Sequence, residues 1–222
     1  SCSNWSFMLN HLNERPINPA RVVILGARGF IGRALAEALQ RARITSLPVG
    51  SVDLDLAAEN AGDRLAAMLQ PSDAIVLLSA LTPDKGRGLQ PFLANIRMAA
   101  SLCHALEQVT PAHVVYFSSD SVYPMRGSVI SEQACAEPED LYGMMHLARE
   151  MMVRAATKAP VAILRTTLVY GAADTHNSYG PNRLRRKLRY SFLPHPHLPD
   201  CLNHSPALLR LQRLWHAPQP GE

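Results

Sequence analysis

Short uninterrupted apolar runs, rich in β-branched residues, alternate along the chain with longer segments in which apolar residues return every three or four positions. Runs such as Val22-Val23-Ile24-Leu25 and Val114-Val115-Tyr116-Phe117 lack the polar alternation of a half-buried strand, so they predict strands covered on both faces. Strands are predicted over 21–25, 44–49, 73–78, 112–118 and 160–165. Helices are predicted over 30–42, 59–69, 90–108 and 141–157. In the third of these, Phe92, Ile96, Ala99 and Leu102 fall on one stripe, with Asn95 beside it. Strands alternating with helices imply an α/β domain built on a doubly wound parallel sheet, with helices on both faces and right-handed crossovers. Ligands of such a sheet sit beyond the carboxyl ends of its strands. The loops after Leu25, Leu78, Ser118 and Arg165 are therefore where chemistry is expected.

The alternation holds over residues 20–182, which 222 residues accommodate as one good-sized domain and part of a second. Residues 1–19 are a polar extension without periodicity, in which Met8 is a candidate natural start. Residues 183–222 are irregular and rich in Pro, His, Leu and Arg, with one short helix conceivable over Leu208–Trp215. The net charge of +4 is local, concentrated in Arg183, Arg185, Arg186, Lys187 and Arg189. Such a run reads as a solvated face before it reads as a nucleic-acid surface, and no nucleic-acid partner is expected. The four cysteines are scattered without CxxC spacing, which fits free thiols in a reducing, cytoplasmic setting. No apolar stretch reaches the length of a membrane span, and no secretory leader is recognisable.

The candidate chemistry begins with Gly26-Ala27-Arg28-Gly29-Phe30-Ile31-Gly32. A buried strand enters this glycine-rich turn and an amphipathic helix leaves it, which is how a dinucleotide pyrophosphate is cradled in a Rossmann fold. Gly26 permits the tight turn, Gly29 lets the backbone approach the phosphates, and Gly32 lets the helix pack closely. The exposed N–H groups and positive end of the helix then face the anion. The competing interpretation is an ordinary strand-to-helix turn whose glycines serve packing.

A second cluster is His113-Val114-Val115-Tyr116-Phe117-Ser118-Ser119-Asp120-Ser121-Val122-Tyr123, a strand ending in hydroxyls and an acid. Downstream lie Tyr142-Gly143-Met144-Met145-His146 at a helix start and the strand Ile163-Leu164-Arg165-Thr166-Thr167. With the glycine turn, this order of motifs over residues 20–182 resembles the extended short-chain dehydrogenase/reductase superfamily, in its NAD-dependent epimerase/dehydratase branch of nucleotide-sugar enzymes. The resemblance implies hydride transfer at a sugar carbon, with Tyr142 as base and Ser119 as the hydroxyl that orients the substrate oxygen. Asp120 stands where the family's dehydratases carry a general acid, but those enzymes follow it with glutamate and this chain has Ser121, which disfavours dehydration. A tyrosine base needs a nearby cation to lower its pKa. The family pattern supplies a lysine one helical turn after the tyrosine, on the same face, and here that position is His146. A histidine is only partly charged near neutral pH, so it is expected to bind the nicotinamide ribose but to activate Tyr142 less. Lys85 is a candidate substitute cation.

The resemblance assigns cofactor contacts to Gly26, Arg28, Gly29, Phe30, Ile31, Gly32, Ser51, Asp53, Ala80, Leu81, Tyr142 and His146, with Asn95 packed beneath. The place where NAD-preferring folds carry an acid for the ribose 2′-hydroxyl falls near Gly50-Ser51, and no carboxylate is there. Arg28 can instead pair with a 2′-phosphate, so NADP is favoured over NAD. Asp53, or alternatively Asp55, resembles the acid that meets the adenine amino group. The family commonly forms homodimers through the helices matching 90–108 and 141–157. The stretch Asn177–Arg183 resembles the family's entry into a C-terminal substrate domain, but the expected continuation does not follow, which suggests a truncated or frameshifted product or, alternatively, a naturally short chain with a disordered tail. The alternative function is therefore a non-catalytic dinucleotide-binding protein.

Overall fold

The computed structural model describes residues 18–124, 130, 134–167 and 169. Within them the chain runs β1 (Arg21–Leu25), α1 (Phe30–Arg41), β2 (Ser46–Val49), α2 (Ala61–Met68), β3 (Asp73–Leu77), α3 (Leu89–Gln108), β4 (His113–Ser119), α4 (Leu141–Ala155) and β5 (Val161–Thr166). Two single-turn 3₁₀ segments, Pro83–Lys85 and Asp120–Val122, follow β3 and β4. Every predicted strand and helix is present. The expectations placed on 1–17 and on 170–222 lie outside the described residues.

The largest boundary shifts have physical causes. The run from Ile44 predicts a strand, but β2 begins at Ser46 because the preceding residues close α1. Arg43 takes a left-handed φ of 56°, its N–H reaches the Gln40 carbonyl, and the Ile44 N–H reaches back to Leu39 at 2.9 Å. This is a Schellman closure made without glycine.

All five strands are parallel, in the order β2-β1-β3-β4-β5. The chain leaves β1 for one side of the sheet and returns past it to β3, so β1 and β3 flank the point where the winding reverses. A crevice opens there beyond their carboxyl ends. Alternate strand residues feed two cores. Val23, Leu25, Ile75, Leu77, Val114 and Tyr116 pack under α2, α3 and α4, while Val22, Ile24, Val76, Val115 and Phe117 pack against α1. Covering of both faces explains the uninterrupted apolar runs.

The opposite end of the sheet is locked by charge. Arg21 donates from Nε and Nη2 to the buried Asp73 carboxylate at 2.8 and 2.7 Å, bridging β1 and β3. At the β2 edge, Val22 and Gly26 donate to the carbonyls of Thr45 and Val49. Residues 45, 47 and 49 therefore face β1, and Pro48, between them, turns its missing N–H outward.

Candidate active site

Gly26 leaves β1 with φ of 97°, a conformation that favours glycine. A Cβ there would come within 2.8 Å of the Ser79 nitrogen, so the turn after β1 touches the loop after β3. Gly29 opens α1 with extended backbone and no side-chain cap. The first-turn N–H groups of α1 thus have no side-chain acceptor and present the helix's positive end. A Cβ on Gly32 would lie 2.3 Å from the Gly26 carbonyl oxygen, so the helix rests directly on the turn. These are the requirements of a pyrophosphate cradle, and the residues present fit it.

The Arg28 side chain lies along Gly50, where an added Cβ would meet its Cγ and Cδ at 2.8 Å. The arginine is exposed beside the loop that leaves β2. Ser51 is exposed in that loop. The Gly50 N–H donates to the Asp53 carboxylate at 2.8 Å, and Ala57 N–H donates to Asp55 at 2.9 Å. Both acids therefore hold turns. Asn95 is buried and grips the Leu81 backbone twice, accepting from its N–H at 2.8 Å and donating to its carbonyl at 3.0 Å. It fixes the loop carrying Ala80 and Leu81, as a residue packed under the site would.

Ser119 ends β4, and its Oγ accepts from the Ser121 N–H at 3.2 Å while lying 3.1 Å from the Ser121 hydroxyl and 3.2 Å from Asp120. A Cβ on Gly143 would lie 2.0 Å from the Ser121 carbonyl oxygen. The first turn of α4, which carries Tyr142, is therefore pressed onto the Ser119–Ser121 turn. Asp140 caps that helix by accepting from Gly143 N–H at 2.8 Å. Tyr142 is half-buried and shares the lining of a shallow hollow with Leu81, Phe92, Asn95 and Met145. Burial pushes its phenol up to about 12, the charge of Arg149 opposes that rise, and Asp120, Asp140 and Asp84 reinforce it. Ser118 is engaged elsewhere: it donates to Glu150 at 2.5 Å, and Glu150 also receives both arms of Arg165 at 3.0 and 2.7 Å.

The expected partial charge on His146 is corrected by its surroundings. The ring is buried, and it meets the Tyr142 ring edge to face with centroids 4.6 Å apart. Burial, helped by Arg149, drives its pKa down to about 3. The buried Tyr116 phenol, whose own pKa is raised by burial, stays protonated and shares a hydrogen bond with His146 Nδ1 across 2.6 Å. The imidazole is thus neutral, and its Nε2 has no partner. Lys85 is exposed on its 3₁₀ turn.

One residue escapes the motif reading. Arg149 is completely buried. Its Nη2 donates to the Ser79 carbonyl at 2.6 Å, its Nη1 approaches Met145 Sδ at 3.7 Å, and its guanidinium lies 5.1 Å from the Tyr116 ring centroid. Its Nε has no partner. The available signal was a charged residue on the apolar stripe of α4, in register with Met145, His146 and Val153.

Comparison with known proteins gives a consistent picture. The model of the NAD dependent epimerase/dehydratase family matches residues 22–192. The chain is 26% identical over 180 residues to an uncharacterized UDP-glucose epimerase, YtcB, of Bacillus subtilis (strain 168), covering 74% of this chain and 54% of that protein. It is 29% identical over 162 residues to the dTDP-4-dehydrorhamnose reductase of Mycolicibacterium smegmatis, covering 69% and 47%. Among solved structures, the dTDP-4-dehydrorhamnose reductase of Bacillus anthracis in complex with NADP superposes with a TM-score of 0.61 at 25% identity, covering 78% of this chain and 60% of that one. The chain spans about half the length of the curated relatives it matches. Among the described residues, no helix is long and apolar enough to cross a membrane, and no cluster suited to a metal ion occurs.

Proposed function

We propose that this chain, which belongs to the NAD dependent epimerase/dehydratase family, binds NADP or NAD and supports hydride transfer to and from a nucleotide sugar. The observation that carries the reading is the uncapped glycine turn at the winding reversal, with the Ser119 turn and the Tyr142 helix at the same end of the sheet. The dinucleotide, when bound, supplies a hydride acceptor and donor. Gly26, Gly29, Phe30, Ile31 and Gly32 would hold its pyrophosphate on backbone N–H groups. Arg28, lying toward the end of β2, favours NADP by pairing with a 2′-phosphate; Gly50 and Ser51 carry no carboxylate of their own, and the nearby Asp53 carboxylate accepts from the Gly50 N–H. Ser51, Asp53, Ala80 and Leu81 would line the nucleoside and the central channel. Ser119 would orient the substrate hydroxyl while Tyr142 takes its proton. Asp120 is available as an acid, and Ser121 in place of glutamate favours epimerisation or reduction over dehydration.

A second reading is favoured by the neutrality of His146: a dinucleotide-binding protein without turnover. Fluorescence titration with NADPH and NADH, followed by assay against a panel of nucleotide sugars, separates the two. The hydride-transfer reading expects binding of both, tighter for NADPH, and turnover that falls at least about a hundredfold in Tyr142→Phe. Binding without turnover favours the second reading, and absence of binding defeats both. Arg28→Ala is expected to cost NADPH about 1.5–3 kcal/mol, the range of a charge-assisted contact, with little effect on NADH. An unchanged preference would refute the role of Arg28.

Self-association through α3 and α4 belongs to the same proposal. Leu141, Met144 and Met151 are exposed along one side of α4, and Leu89 is exposed at the start of α3. Such a stripe suits a second copy of the chain.

A further inference from the structure

We propose that Arg149 is the positive charge on which Tyr142 depends, so that position 146 contributes a neutral ring and the cation sits one turn further along α4. The inference rests on the reading of Tyr142 as base. A phenol acts as a base only where its anion is stabilised by a permanent nearby charge. The groups facing Tyr142 can be enumerated. Asp140 at the helix cap, Asp120 after β4 and Asp84 after β3 all act against a phenolate. On α4, His146 is uncharged and its Nε2 has no partner. On β4, Tyr116 is a protonated phenol hydrogen-bonded to His146. Arg87 lines the hollow beside Tyr142 but is exposed to solvent, and Arg149 is the buried charge that favours the phenolate.

Its placement suits the role. Arg149 follows Tyr142 by seven residues, two helical turns, and so lies on the same stripe of α4. Helical side chains lean toward the N-terminus, and that of Arg149 does so, passing Met145 at 3.7 Å. Its far end is anchored on the Ser79 carbonyl, one residue's backbone away from the Ser79 nitrogen that abuts Gly26. The charge thus sits between the base and the cofactor turn.

Among the described residues the charge is also unbalanced. There it meets the Ser79 carbonyl, the Met145 sulfur and the Tyr116 ring, and none is an anion. The adjacent acid, Glu150, is paired with Arg165. Cys103, across the interface with α3, has its thiol pushed up to about 11 by burial, so it is neutral too. A fully buried guanidinium without a counter-ion is costly. It is compensated in a state where an anion forms beside it, and a Tyr142 phenolate is such an anion. His146 Nε2 and Arg149 Nε, the buried side-chain atoms without partners among the described residues, lie one turn apart on the same helix.

The role of Arg149 is that of a positioning residue acting through Tyr142, so the test reads the phenol itself. A fluorinated tyrosine, whose phenol titrates lower than tyrosine's, is placed at position 142 and followed by fluorine NMR against pH. Arg149→Met is expected to raise the midpoint by about one unit or more, Arg149→Lys to leave it close to that of the unchanged protein, and His146→Lys added to Arg149→Met to bring it back down. Where Arg149→Met loses the circular dichroism of the fold, Arg149→Gln carries the same comparison. A midpoint unmoved in a folded variant overturns the proposal. NADPH binding is measured on the same samples. Failure of the unchanged protein to bind NADPH overturns the proposed function while the titration still reads Arg149, and normal binding with an unmoved midpoint overturns the role of Arg149 alone.

Discussion

At position 146 an imidazole is kept neutral by burial and by the nearby charge of Arg149, and this has a consequence for stability. The unfolded chain binds a proton at histidine's ordinary value near 6.5, whereas the native ring does so only near 3. Stability from this group is therefore fully present above about pH 6.5 and is lost as pH falls toward 3, because the unfolded state takes up the proton first. The expected loss by pH 5 is about 2 kcal/mol. Urea unfolding at pH 7 and pH 5 checks it: His146→Gln should lose less on acidification than the unchanged protein. His113 is shifted the same way by burial, but it is present in both and cancels. Equal losses would show that His146 is not a buried neutral group. The sequence singles out this position because a histidine stands on the helical face of Tyr142. Its charge state is illegible there, since it depends first on how deeply the packed sheet and helices bury the ring, and then on Arg149. Arg149 is hidden for a similar reason: nothing local says that its carbonyl partner lies across the sheet at Ser79.

Among elements, the tightest junction is between α4 and the turn after β4. Gly143→Ala would drive a Cβ to 2.0 Å from a backbone oxygen, which cannot swing aside as a side chain would. The expected cost is about 1–3 kcal/mol, read as a lowered melting temperature. Gly88→Ala is the control, since a Cβ there meets nothing within 4 Å, and a melting temperature shared by the two variants would contradict the argument. The strands and helices themselves were legible because their signals are local: unbroken apolar runs for β1, β3 and β4, and a returning apolar stripe for α3. The Schellman closure at Arg43 was not, because the residue usually announcing it is glycine. The packing reasons for Gly26 and Gly32 were legible, since each lies within the turn or one strand away. The turn-holding bonds of Asp53 and Asp55 left both residues structurally explained, whatever else they touch.

For the molecule as a whole, the parallel order gathers the ends of β1, β3 and β4 at one edge and places the Arg21–Asp73 lock at the other. The charged lock and the candidate site are thereby separated in space. The proposed dimer is a prediction at this scale. Sedimentation velocity is expected to show a dimer for the unchanged chain and a monomer for Met144→Glu combined with Met151→Glu. A dimer persisting in that variant would place the contact elsewhere. The candidate residues were legible as a set because a doubly wound sheet puts every strand-end loop on one side. What joins them, from Gly26 to Ser79 and from Ser79 to Arg149, is set by contacts between distant segments, which no local pattern encodes.

Pro48 bears on how the molecule behaves in a crowded solution. An edge strand is a template on which a neighbour's strand can dock and recruit another. On β2 the outward row of donors is interrupted in its middle, so an incoming strand would meet a gap where it needs an N–H. The residue thus acts against runaway polymerisation from this side of the sheet, protecting the half-exposed edge.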